Sequence, residues 1–218
     1  MGNLIASETK EWAYEVYKRV DFINYWLYTF TATCLLCLVE PFVAIWLGQD
    51  FVLTKAILIL AVAIYYFKGI NSGIDIAKNA AGLYYPDRFI PMAEAIANMV
   101  ISIVLAKRYG IAGVLFGTLV SFLALSFWAK PYFVCRDVFE VSFARYAVRE
   151  GREIVVSVLV AAGTWYAVSL VSLENVLLSF GVKALLALAL SNGLLLLVYF
   201  KTSEFQYLRG LLESAANR

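Results

Sequence analysis

The residues in this 218-residue sequence that are best placed to do chemistry are polar side chains that interrupt long apolar stretches. Lys68, Asn71, Asp75 and Lys78 recur at steps of three and four, which places them on one face of a helix. An acid at the centre of a bilayer costs about 2.5–3.5 kcal/mol on insertion scales. This face therefore predicts one of two structures: a wall of a hydrated cavity, or the interfacial end of a helix that carries an Asp75–Lys78 ion pair.

A second polar face follows further along the chain. Glu94, Asn98 and Ser102 stand four residues apart, and three polar residues on one side of a helix predict a face turned away from lipid. Glu94 could bind a proton, bind a cation, or neutralise a neighbouring lysine such as Lys68 or Lys78. The sequence leaves these alternatives open.

Glu40 is the third candidate, because it stands directly before Pro41 in an apolar stretch. Proline removes a helical hydrogen bond and kinks the helix, which exposes a carbonyl group. An acid beside such a kink suits ion coordination in a transporter. An acid at a helix end that pairs with Lys55 explains the same pattern equally well.

The remaining residue types argue against the chemistry of soluble enzymes. The sequence has no histidine, which removes the commonest general base and metal ligand. It also has no phosphate-binding loop and no nucleophile motif. Cys34 and Cys37 form a CxxC inside an apolar run, and we interpret them as small helix residues. The sequence thus predicts no enzyme activity, no metal centre and no cofactor, apart from H⁺ or Na⁺ as a coupling ion.

The elements that position these residues follow from composition. Hydrophobic residues make up 62% of the chain and charged residues 16%, whereas soluble domains have about 45–50% and about 25%. Six stretches are long enough to cross the ~30 Å hydrocarbon core of a bilayer. They are Asn24–Leu47, Phe51–Ile70 (with helix continuing to about Leu83), Phe89–Ala106, Ile111–Ala129, Ile154–Leu173 and Phe180–Phe200. We predict an all-α polytopic membrane bundle of about six transmembrane helices.

The basic residues predict its orientation. Fourteen of the 18 lysines and arginines flank the spans on one side and four on the other. The positive-inside rule places the side with fourteen, and with it both termini, in the cytoplasm. Basic clusters beside aromatic residues at span ends indicate membrane lipid as a partner, and not nucleic acid.

We expect a single membrane domain over residues 1–218. It comprises a cytoplasmic amphipathic segment (1–23), four spans (24–130), a cytoplasmic surface helix (131–153), two spans (154–200) and a cytoplasmic tail (201–218). The surface helix is predicted because Val138, Phe139, Phe143 and Tyr146 alternate with arginines that anionic lipid attracts. Within the fourth span, Gly113, Gly117 and Ser121 form a small-residue seam on which another helix can pack closely.

Several motifs also resemble a known family. WLGQDFVL, AAGLYYPDR, AEAIANMVISIVLAKRYGIAGVLFGTLVSFL and WAKPYFVCRDVF are similar to the C-terminal half of polysaccharide flippases. These proteins belong to the multidrug/oligosaccharidyl-lipid/polysaccharide exporter superfamily. Glu94, Asn98 and the following KRYGIAGV carry the most specific part of the resemblance. The opening GNLIASE resembles the end of the first helix of that half, and the likeness is strongest over residues 41–145.

The resemblance implies a function and a partner. Family members have two lobes that enclose a cavity for the lipid-linked sugar, and this sequence resembles the second lobe alone. It implies a partial flippase that moves lipid-linked oligosaccharide across the plasma (inner) membrane in cell-surface polysaccharide biosynthesis. We expect the chain to be inactive without an N-terminal lobe, and to need that lobe or self-association, because alternating access rocks one lobe against the other. A non-transporting assembly subunit and a membrane enzyme for lipid substrates are the alternatives.

Overall fold

A computed structural model describes residues 9–216, with side chains described for residues 9–210, and every regular element in that range is helical. The helices are α1 (Lys10–Trp46), α2 (Lys55–Ile70), α3 (Ser72–Ala80), α4 (Ile90–Ala124), α5 (Ser126–Val134), α6 (Phe143–Ser169), α7 (Val176–Tyr199) and α8 (Ser203–Ala216). A 3-10 turn, Gln49–Phe51, follows α1, and a π-turn, Cys135–Phe139, follows α5. The predicted all-α class is confirmed. The GNLIASE motif and Arg218 lie outside the described residues.

Five continuous helical stretches in the described chain are long and apolar enough to cross a membrane. One of them, Ile90–Phe139, contains a reversal at Gly110, where φ is 57° and ψ is −135°. Glycine adopts this backbone conformation at low cost because it has no Cβ. The two arms of α4 on either side of Gly110 then pack against each other. Counted separately, these arms bring the total to six apolar helices, in agreement with the predicted number.

The predicted small-residue seam is where the two arms meet. A Cβ atom added at Gly113 would stand 2.4 Å from the carbonyl oxygen of Leu105, and one at Gly117 would stand 2.9 Å from the amide nitrogen of Ser102. Both distances are far shorter than van der Waals contact, and both reach backbone atoms that side-chain movement cannot displace. Glycine at these two positions therefore sets how closely the arms approach each other.

Helix α1 is the centre of the bundle. It packs against α7, α2 and α6, whereas the α4 hairpin packs on α2 at one edge. Its 37 residues extend about 56 Å at 1.5 Å per residue, which exceeds the ~30 Å hydrocarbon core. The described part of the predicted segment 1–23 is thus the first part of this long helix. Helix α8 folds back on it, and the ring of Phe205 stacks on Trp26 with 5.7 Å between centroids.

The predicted continuous second span is broken at Asn71, which separates α2 from α3. The Asn24 side chain on α1 donates from Nδ2 to the Gly69 carbonyl at 2.9 Å, and its Nδ2 lies 3.0 Å from Ser72 Oγ. A helix end inside a bundle needs such partners for its free carbonyls. The interruption thus has a tertiary partner for its free carbonyl groups, and the helix ends at Ala80, before the predicted Leu83.

Residues 131–153, which we expected to form one surface helix, are divided among three elements. They comprise the end of α5, the π-turn and the first part of α6, with Glu140 in the left-handed backbone region at φ 54°. Val138, Phe139 and Tyr146, which were expected to contact lipid, are buried in a core with α1 and α3 residues. The amphipathic pattern is real, but protein covers its apolar face. A sequence pattern shows that a face is apolar, whereas the tertiary structure decides what covers it.

Candidate functional site

The charged residues of the first predicted polar face each have a different partner. Asp75 accepts hydrogen bonds from Lys130 Nζ on α5 at 2.9 and 3.2 Å, and Lys78 pairs with Asp87. The expected Asp75–Lys78 pair is thus replaced by two ion pairs with other partners. Lys68 lies over the ring of Phe122, 5.7 Å from its centroid.

Asn71 differs from its neighbours on this face. It is 1% exposed, and neither its amide nitrogen nor its amide oxygen has a hydrogen-bond partner among the described residues. Its backbone occupies the break between α2 and α3.

The second predicted face is the contact between the two arms of α4 and the start of α5. Asn98 Oδ1 accepts hydrogen bonds from Ser102 Oγ at 2.8 Å and Thr118 Oγ1 at 3.2 Å. Glu94 accepts a hydrogen bond from Ser126. These residues face neighbouring helical segments, and their partners are hydroxyl groups and not Lys68 or Lys78.

Glu40 lines a cavity of about 390 Å³ between α1, α2 and α6. Most of its walls are aliphatic or aromatic, and Lys55 and Trp165 stand in the same region of the wall as Glu40. Lys55 Nζ lies 5.9 Å from the ring centroid of Trp165. Of the seven predicted site residues, Glu40 is the one that faces this cavity.

A network of three hydroxyl groups forms another polar part of the cavity wall, next to the hydroxyl of Thr33. Ser157 Oγ lies 2.7 Å from Thr29 Oγ1 and accepts a hydrogen bond from Tyr66 at 2.9 Å. Thr29 and Glu40 are eleven residues apart on α1, which corresponds to about 16 Å along the helix axis. The cavity is thus elongated and apolar, with polar groups at both ends. The sequence analysis missed these hydroxyl residues.

A buried charged cluster, which the sequence analysis also missed, lies near the N-terminal ends of α1 and α6. It consists of Asp21, Arg149, Glu150, Glu153 and the phenol of Tyr17. Oxygen atoms of the three carboxylates lie within 4.8 Å of one another, and the three acids are 4–6% exposed. Arg149 forms an ion pair with Asp21, and its Nε lies 3.8 Å from Glu153. One guanidinium thus faces three carboxylates.

A signal for this cluster does exist in the sequence. The buried residues of α6 are Tyr146, Glu150, Glu153, Ser157, Val160, Thr164 and Val168, and they recur at steps of three and four on one face. The arginines of this segment were predicted to face the membrane surface, and the acidic residues on the inward face were not considered as a cluster. The inward face of α6 is recognised in the sequence only when acidic residues are counted as members of it together with the apolar ones.

Comparisons with protein-family models, with curated proteins and with solved structures gave no match to this chain.

Proposed function

We propose that this chain is one lobe of a flippase that translocates lipid-linked oligosaccharide across the plasma membrane. The observation that carries the proposal is the elongated apolar cavity between α1, α2 and α6. Its volume of about 390 Å³ falls within the range of about 300–1,000 Å³ typical of small-molecule sites. The motif resemblance, strongest over residues 41–145, supports the same assignment.

The chemistry of the cavity suits an amphiphile. The apolar walls match an isoprenoid chain, and Glu40, Lys55 and the Ser157 hydroxyl provide polar contacts at two separated points. A soluble sugar would meet too few polar groups here, since sugar recognition needs many directional hydrogen bonds. A lipid carrier bearing a sugar can place its chain in the cavity and its polar head beyond one end.

The proposal includes a second lobe. Alternating access in transporters with internal repeats moves one repeat or bundle against another around a central site. A single six-helix lobe offers no second body for this movement. We therefore propose that transport requires a matching N-terminal lobe, with H⁺ or Na⁺ as the coupling ion.

Blocking the cavity tests the proposal. The chain is co-expressed with an N-terminal lobe in a flippase-deficient cell, and export of the lipid-linked polymer is measured against the amount of protein. Ala161→Trp places an indole in the cavity and should lower export by about tenfold or more. Leu159→Trp is the matched control, because Leu159 is 66% exposed on the same helix and does not line the cavity.

Two results would refute the proposal. One is normal export with Ala161→Trp at a normal protein level. The other is restored export by the lobe alone, which would remove the need for a second lobe. Failure of both lobes together to restore export would favour a non-transporting assembly subunit or an enzyme that acts on lipid substrates.

A further inference from the structure

We propose that Asp21, Glu150, Glu153 and Tyr17 form a binding site for one divalent metal cation that prefers oxygen ligands, such as Ca²⁺ or Mn²⁺. The proposal goes beyond the transport function and does not depend on it.

The first argument is charge. Three carboxylates that are 4–6% exposed face one guanidinium, that of Arg149. With all groups ionised, the cluster itself carries a net charge of about −2 in a buried place, which Arg152 offsets only in part because it acts on Glu153 without an ion-pair contact. Buried charges are paired or coordinate metals, because desolvation of an isolated charge is expensive. One divalent cation would neutralise this negative charge.

The second argument is geometry. Asp21, Glu150 and Glu153 each offer an oxygen atom, and these three atoms lie within 4.8 Å of one another. Ca²⁺ takes its oxygen ligands at about 2.3–2.6 Å, so two ligands on opposite sides stand about 4.6–5.2 Å apart. Mg²⁺ requires about 2.0–2.1 Å and a strict octahedron. Oxygen atoms no more than 4.8 Å apart can therefore contact one cation together, and the longer ligand distances of Ca²⁺ suit this spread better than those of Mg²⁺.

The third argument is an unpartnered oxygen. Tyr17 is 1% exposed, and its hydroxyl has no hydrogen-bond partner among the described residues. The phenol lies close to Asp21, Arg149 and Glu150, which places it at the cluster, and its interaction with Asp21 falls outside normal hydrogen-bond geometry. A buried polar atom without a partner costs free energy, and a bound cation would use the phenol oxygen as a further ligand.

Position and access support the same inference. The backbone of Gly73 on α3 closes one side of the cluster, where an added Cβ would stand 2.5 Å from Asp21 Oδ1. A groove of about 400 Å³ reaches Arg149 and is lined by acidic and basic residues of α1, α6 and α8. A hydrated ion can approach through this groove.

The direct test is a Mn²⁺ titration of the chelator-treated chain in lipid nanodiscs. Electron paramagnetic resonance measures how much Mn²⁺ is free and how much is bound. We expect one Mn²⁺ bound per chain, Ca²⁺ competing for it, and a thermal unfolding temperature that rises with Ca²⁺ concentration. Glu150→Gln and Glu153→Gln should each weaken Mn²⁺ binding by about tenfold or more, since each removes a charged ligand. Tyr17→Phe keeps the packing and should weaken binding less.

Controls separate a specific site from general surface charge. Glu140→Gln removes an exposed acid that pairs with Lys10 and should leave Mn²⁺ binding unchanged. The glutamine variants remove repulsion between buried carboxylates, so they should unfold at the same or a higher temperature in chelator. Absence of Mn²⁺ binding to the wild-type chain would overturn the proposal. So would binding that survives both glutamine substitutions, or unfolding that responds to acid but not to metal, which would indicate protons in place of the cation.

Discussion

Arg149 on α6 donates a hydrogen bond from Nη2 to Oδ2 of Asp21 on α1, across 128 positions of sequence. Both side chains are largely buried, with exposed fractions of 14% and 6%. This ion pair joins the first helix of the bundle to the fifth of its six apolar helices. Arg149 also lines the groove that reaches the proposed cation site.

The Arg149–Asp21 pair should be far more sensitive to substitution than the more exposed Lys130–Asp75 pair. Arg149→Met leaves three buried carboxylates without their guanidinium, and we expect a loss of about 3–5 kcal/mol in the free energy of unfolding. Lys130→Met is the matched control, because its partner Asp75 is 41% exposed, and we expect a loss below about 1 kcal/mol. Denaturant titration in detergent micelles measures both.

A double variant checks the cause of that loss. Asp21→Asn combined with Arg149→Met removes one of the carboxylates left unpaired, so it should be more stable than Arg149→Met alone. Equal or greater destabilisation in the double variant would show that packing, and not charge, is what Arg149 contributes.

The stability of the hairpin at Gly110 should depend on the small residues Gly113 and Gly117, where its two arms meet. Gly113→Ala places a methyl group against the Leu105 carbonyl, and overpacking of this kind typically costs about 1–3 kcal/mol. Gly193→Ala in α7 is the control, because nothing lies within 4 Å of its added Cβ. There we expect no loss, since alanine favours a helix by about 1 kcal/mol over glycine. Thermal unfolding of the two variants side by side decides the point.

The three-hydroxyl network should contribute to stability through Ser157. Ser157→Ala leaves the hydroxyls of Thr29 and Tyr66 without their shared partner, and an unsatisfied buried group costs about 1–3 kcal/mol. Ser169→Ala removes an exposed hydroxyl that bonds only to the Tyr166 carbonyl, and should change stability by less than about 0.5 kcal/mol. If the two serine variants unfold alike, water within the cavity satisfies the network as well as Ser157 does.

Topology remains a prediction of the charge distribution, and reporter fusions test it. Fusions after Gly48, Tyr109 and Glu174 should report the outside, and those after Tyr85 and Glu140 the cytoplasm. Glu140 is a suitable fusion site because it ends the π-turn, before α6 begins. A fusion that reports the opposite side would mean that one apolar helix does not cross the membrane.

The sequence by itself determined the helical class, the number of apolar helices and their approximate bounds. Composition and length are sufficient for this, because a hydrocarbon environment requires each spanning segment to satisfy its own backbone hydrogen bonds. The turn between the third and fourth spans was also accessible, since Gly110 lies between two apolar stretches and the Gly113–Gly117 seam follows it.

The partners of the polar residues were decided by the tertiary structure alone. Periodicity places Asp75, Lys78 and Glu94 on helix faces, but Lys130, Asp87 and Ser126 meet them through the crossing of other helices. The same holds at the break at Asn71, where the Asn24 amide on α1 bonds to the Gly69 carbonyl. Local sequence specifies which face of a helix is polar, whereas contacts between residues distant in sequence exist only once the helices have packed.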